Sequence, residues 1–217
     1  MNNLDPSFGM PSSADGDPSS GSPEDIDTDE RPRSAGRVLF DWILVIAVAL
    51  GAALGVRVYV LQQYYISGPS MESTLFGDDR VLVNKLSYRF GDISRGDVVV
   101  FDRMTTNNGV VAHDDLIKRV VALGGESIEI EDCAVIVDGA PIPEPYLDEA
   151  SSSTPNLAER CRVVDMPRMT VPEGDIFVLG DNRAESFDSR SFGAIPESLV
   201  RGRAFAVVWP IGRVGGL

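Results

Sequence analysis

Residues 116–123 read Leu116-Ile117-Lys118-Arg119-Val120-Val121-Ala122-Leu123. The stretch is short, dominated by aliphatic and β-branched side chains, and shows no helical period, so it predicts a strand. Alternation puts Ile117 and Arg119 on one face and Leu116, Lys118 and Val120 on the other. A lysine that shares a face with leucine and valine either snorkels to solvent or is held desolvated. The strand by itself leaves both open.

Similar segments surround it. Arg80-Val-Leu-Val, Asp97-Val-Val-Val-Phe101, Ser127-Ile-Glu-Ile130, Ile176-Phe-Val-Leu179 and Ala204-Phe-Ala-Val-Val-Trp209 are all short and rich in strand formers. Gly77-Asp-Asp, Arg95-Gly-Asp97, Gly124-Gly125 and Pro172-Glu-Gly-Asp175 separate them as turn signals. Asp138-Gly139, between Ala134-Val-Ile-Val137 and Ala140-Pro-Ile, signals a type I′ hairpin. Residues 62–217 are therefore expected to form one mainly β domain, with a loop-rich insertion at residues 141–155 and no internal repeat.

Upstream the composition changes twice. Residues 38–61, VLFDWILVIAVALGAALGVRVYVL, carry only Asp41 and Arg57 as charges. As a helix they would span about 36 Å, more than the roughly 30 Å hydrocarbon core. Trp42 and Tyr59 sit near the two ends, where an aromatic belt is expected. A membrane anchor is predicted. A cleaved secretory signal is a weaker reading, because the leader is long and acidic rather than short and basic. A buried core helix would need a larger soluble domain to enclose it. Residues 1–37 contain 8 acidic side chains, and 16 of the 37 are Gly, Pro or Ser. Such a segment cannot bury enough apolar surface to offset its ordering entropy, and a disordered tail is expected. Arg31, Arg33 and Arg37 precede the span and only Arg57 lies close to its far end. The positive-inside rule then keeps the N-terminus in the cytoplasm and places residues 62–217 outside, in a single-pass protein of the cell membrane.

The totals exclude several functions. The 217 residues have a net charge of -14, from 19 basic and 33 acidic side chains. No cluster of Lys and Arg is present to displace counterions, so nucleic acid is not an expected partner. His113 is the only histidine, and Cys133 and Cys161 are the only cysteines, in no zinc-binding spacing. No phosphate-cradling or dinucleotide-binding glycine motif occurs, and no cofactor is expected.

Three polar stretches accompany the lysine strand. Ser67-Gly-Pro-Ser-Met-Glu-Ser-Thr-Leu75 follows the membrane exit, and Gly68-Pro69 suits a tight turn that presents Ser70. Arg95-Gly-Asp-Val-Val-Val-Phe101 precedes the lysine strand. Leu179-Gly-Asp-Asn-Arg-Ala-Glu-Ser-Phe-Asp-Ser-Arg190 is a dense polar loop directly after an apolar strand. Taken singly, each could be an ordinary loop.

In this order and approximate spacing, behind an N-terminal anchor, the stretches resemble the type I signal peptidases over about residues 60–209. That family is a group of membrane-bound serine endopeptidases with a Ser-Lys dyad on a β-barrel or sheet domain. The resemblance implies Ser70 as nucleophile, Lys118 as general base and the Ser70 backbone N–H as part of the oxyanion hole. It implies that Ser186 orients the lysine, that Asp188 and Arg190 form a buttressing ion pair, and that Asp181 and Arg183 are structural. Its substrates would be preproteins with signal peptides, cut after small residues of the Ala-x-Ala type. Its surroundings would be the lipid bilayer and the secretion translocon. Two positions depart from the pattern. Gly68 stands where some members carry a second serine donor, and Ser73 stands where Ser-Met-x-Pro-Thr has proline, a change expected to loosen the turn.

The chemistry is consistent. Serine needs a base to take its proton, and lysine, with a pKa of about 10.4 in water, is protonated and useless as one. Burial among apolar side chains disfavours the ammonium and can bring the value towards the 7–8 that a base requires. A rival is a Ser-His-Asp hydrolase using His113, which follows an expected loop at Thr105-Thr-Asn-Asn-Gly109, with Asp114 or Asp115; otherwise His113 is a surface histidine with no role. Self-cleaving repressors also use Ser-Lys β-domains, but behind a DNA-binding module. A non-enzymatic anchored binding module is the remaining alternative. Cys133 and Cys161 both fall in the part expected outside the membrane, where a bridge would persist and help order the insertion. Two free thiols stay the alternative.

Overall fold

The computed structural model describes residues 35–107, 110–147 and 156–217. Two units divide the chain, Met1–Leu44 and Val45–Leu217. The acidic tail expected at residues 1–37 lies outside the described residues up to 34, and residues 35–37 are helical. Helix α1, Ala35–Tyr59, leaves Leu39, Phe40, Trp42, Ile43 and Leu50 exposed on every side. A helix that is apolar all round lacks the polar face that water requires.

In chain order the strands are β1 (Leu61–Tyr65), β2 (Arg80–Asn84), β3 (Val98–Asn107), β4 (Val110–Leu123), β5 (Ser127–Glu131), β6 (Ala134–Val137), β7 (Ala140–Pro141), β8 (Met166–Thr170), β9 (Asp175–Leu179), β10 (Ile195–Pro196), β11 (Val200–Trp209) and β12 (Gly215–Gly216). One sheet has the order β1-β2-β11-β3-β4-β9-β10, with β12 on β11, and the second has the order β7-β6-β5-β8. The pairings are antiparallel. The mainly β expectation holds, but the barrel does not close, because β1 and β10 end the first sheet without pairing. The β6–β7 hairpin turns where expected, and β5–β6 forms a further hairpin through Asp132 and Cys133. Asp138 and Gly139 both take positive φ, 51° and 78°, the geometry of a type I′ turn.

The second sheet stacks on the first through Ile128, Ile130, Val135 and Val137, which pack with Val121, Phe177 and Leu179. Met71 and Leu75 are fully buried with Val81, Val98 and Val100. Burial of two such side chains, each worth about 1.5–3 kcal/mol, anchors the segment that directly follows Ser70.

One expectation changes. Residues Thr105–Asn107 are not a loop, but pair with Ala112–Val110 in a long β3–β4 hairpin that places His113 within a strand. Of the insertion at 141–155, residues 148–155 lie outside the described residues.

Candidate active site

Ser70 sits in a single 3-10 turn, Pro69–Met71. Pro69 at its start presets the backbone, and the N–H of Glu72 closes the turn on the Pro69 carbonyl at 3.0 Å. The Ser70 carbonyl accepts the N–H of Asn182 at 3.1 Å. Ser73 has a φ of 93°. Proline is locked near -65°, so proline could not occupy this turn as built. The departure at Ser73 therefore reshapes the turn rather than loosening it. The Ser73 hydroxyl donates to the Tyr146 carbonyl at 3.0 Å and ties the turn to the 142–147 segment.

Lys118 pairs with Val99 across the β3–β4 ladder and is 3% exposed. Of the two readings its strand left open, the structure takes the desolvated one. Its Nζ lies 2.8 Å from Ser70 Oγ and donates to the Ile117 carbonyl at 2.9 Å. Burial pushes its pKa down to about 8, although the carboxylates of Asp188 and Asp181 work in the opposite direction.

Below this pair lies a buried ion pair. Arg190 donates through Nε to Asp188 Oδ1 at 2.8 Å and through Nη2 to Oδ2 at 2.7 Å. Asp188 Oδ2 also accepts the Gly180 N–H at 3.0 Å. Burial alone would raise the Asp188 pKa, but Arg190 and the Gly180 N–H outweigh it and hold the carboxyl below the usual range. Ser186 is buried beside them. Its hydroxyl is near enough to favour the Asp188 charge, yet among the described residues it has no partner in hydrogen-bonding geometry, Lys118 included. It packs against Gly180, where a Cβ would collide with the Ser186 side chain and the Ser70 carbonyl.

Several supports were not legible as such. Arg119 grips Asp181 with two bonds, at 2.9 and 2.7 Å, and also reaches Gly96 O at 2.9 Å. Thr74 Oγ1 donates to the same Asp181 at 2.6 Å. One buried carboxylate thus joins the Ser70 segment, β4 and the loop after β9. Arg183 donates to Gly180 O at 3.0 Å and pairs with Glu144, and Arg119 stacks on Tyr146 at 4.0 Å. Arg119 beside Lys118 and Asp181 in Gly-Asp-Asn were visible as charges among apolar residues. Their pairing across 62 positions was not.

His113 bonds Asp102 through Nδ1 at 2.9 Å, not Asp114 or Asp115, and Arg201 holds the same Asp102 at 2.8 Å. It lies five residues along β4 from Lys118, about 16 Å at the rise of a strand. A histidine there cannot serve the hydroxyl that Lys118 holds. Cys133 and Cys161 are bonded, with Cα atoms 5.8 Å apart.

Residues 39–209 match the family model described as signal peptidase, peptidase S26. The chain belongs to the signal peptidase family. It is 37% identical to a probable signal peptidase I-2 of Synechocystis over 79% of this chain and 73% of that one. It is 34% identical to a signal peptidase I of Mycobacterium tuberculosis over 87% of this chain and 78% of the relative. A crystal structure of a signal peptidase I from Enterococcus faecalis aligns with 52% of this chain and 97% of its own, at 30% identity and a TM-score of 0.41. As a family member the protein is a serine endopeptidase that removes signal peptides from preproteins.

Proposed function

We propose that this signal peptidase works as a single-pass membrane enzyme in which Ser70 attacks the scissile carbonyl and Lys118 is its general base. The observation that carries the reading is the 2.8 Å contact between Lys118 Nζ and Ser70 Oγ, made by a lysine only 3% exposed. A pKa of about 8 leaves a usable neutral fraction near physiological pH. The neutral amine takes the Ser70 proton as Oγ bonds to the carbonyl carbon. The ammonium then gives the proton to the leaving amine, and water repeats the sequence to release the signal peptide. The Ser70 N–H supports the developing oxyanion, while Gly68 offers no side-chain donor. Asp188–Arg190 and Arg119–Asp181 hold the frame beneath.

The edge of β4 supports the substrate reading. Among the described residues β9 pairs with β4 only from Arg119 onward, so Leu116–Lys118 have no strand partner on that side and can take an extended peptide. Alternate side chains of such a peptide enter the site, which suits small residues at -1 and -3. Helix α1 provides the membrane anchor, and Arg31, Arg33 and Arg37 keep the N-terminus cytoplasmic, so the β domain meets preproteins emerging from the secretion translocon. The test is cleavage of an Ala-x-Ala peptide by detergent-solubilised protein, compared with the same peptide carrying Phe at -1. The first is cut faster by orders of magnitude, whereas equal rates refute the assignment.

A further inference from the structure

A cavity of about 250 Å³ opens beside the serine turn. Its walls include Glu72 and Ser73, which follow Ser70 by two and three residues, and Asn182 and Arg183, next to the N–H that holds the Ser70 carbonyl. The Cys133–Cys161 disulfide forms another part of the wall, so this side of the cavity is covalently fixed before any substrate arrives. Nothing in the dyad mechanism uses this space.

The charges around it are unevenly matched. Asp181 is taken by Arg119, Arg183 by Glu144, and Glu159 accepts the Asn156 amide at 2.8 Å. Arg160 is different. Its Nε is buried without a hydrogen-bond partner, and it forms no ion pair among the described residues. A buried guanidinium donor without an acceptor is costly, and a carboxylate is the ligand that best satisfies it.

The open edge of β4 takes the residues before the cut, so the residues after it must leave past Ser70 on the other side. Two or three extended residues cover about 7–10 Å, enough to pass beyond the turn in which Glu72 and Ser73 follow Ser70. We infer that this cavity is a subsite for the mature side of the preprotein, where Arg160 reads an acidic side chain within the first three residues after the cut. The inference rests on the Ser70 reading above, and its test separates the two.

The test compares full-length protein in detergent on Ala-x-Ala peptides that carry Ala, Asp or Lys, one at a time, at positions +1 to +3. The wild type prefers Asp to Lys by about tenfold in kcat/KM at one of these positions. R160E reverses the preference and R160Q flattens it, while both cut the all-Ala peptide as the wild type does. That last rate is the control: its absence in the wild type sinks the Ser70 reading itself. A flat response of the wild type, or a preference unmoved by R160E and R160Q, overturns the subsite. So does a preference for Lys, which would make Glu72 the reader.

Discussion

The Asn182 N–H donates to the Ser70 carbonyl at 3.1 Å, so the loop after β9 holds the serine's main chain while Lys118 meets its side chain. Gly180 makes this approach possible, since any Cβ there meets both the Ser70 carbonyl and Ser186. Gly180→Ala should push the turn away from the lysine. Displacement by about 1 Å can cost on the order of 10²-fold, so kcat falls by that order while the fold survives. Peptide kinetics with a parallel circular dichroism spectrum checks this. An alanine variant of wild-type activity would mean the loop does not position the serine.

Ser70→Ala and Lys118→Ala should each abolish cleavage, and the double variant should be no worse than either single one, because the pair acts as a unit. His113→Ala should be nearly silent, since its partner is Asp102 on the neighbouring strand. Additive losses in the double variant would show that the two residues act separately.

Burial of Lys118 also has a cost that stability measurements can read. With a pKa near 8 folded and 10.5 unfolded, the ammonium is disfavoured in the native state at neutral pH. That difference corresponds to about 3 kcal/mol. Lys118→Met should therefore stabilise the protein below pH 8. The advantage should shrink as pH rises from 8 to 10.5 and vanish above it, where both states of the wild type carry a neutral amine. Denaturant titrations at pH 7 and pH 10.5 test it, and equal differences at the two values would contradict a desolvated lysine.

The strand pattern and the order of the polar stretches carried most of the fold and put Ser70 and Lys118 forward as a pair. Lys118 on a face with Leu116 and Val120 already offered burial as one of two outcomes, and only the packing of the Ser70 turn against β4 decided between them. What stayed hidden was long-range. Arg119 with Asp181, Arg183 with Glu144 and His113 with Asp102 depend on which strands become neighbours, and alternation within one strand does not encode that. The length of the β3–β4 hairpin was missed because Thr105-Thr-Asn looks like a turn until it is paired with Val110–Ala112.

The Cys133–Cys161 bridge closes a loop with a sequence separation of 28. Chain entropy assigns it about 3–4 kcal/mol. Non-reducing mass spectrometry of protein purified from membranes should recover the crosslinked peptide, and Cys161→Ser should lower the unfolding free energy by that amount. Two alkylatable thiols in unreduced protein would remove both the bridge and a support for the orientation.

The most direct test of Lys118 as the base is the pH dependence of kcat/KM on an Ala-x-Ala peptide, for wild type and His113→Ala side by side. The neutral amine is the active form, so the rate should rise with pH through a midpoint of about 8, identically in both proteins. A rise centred near the ordinary histidine value of about 6.5, lost in His113→Ala, would contradict the dyad.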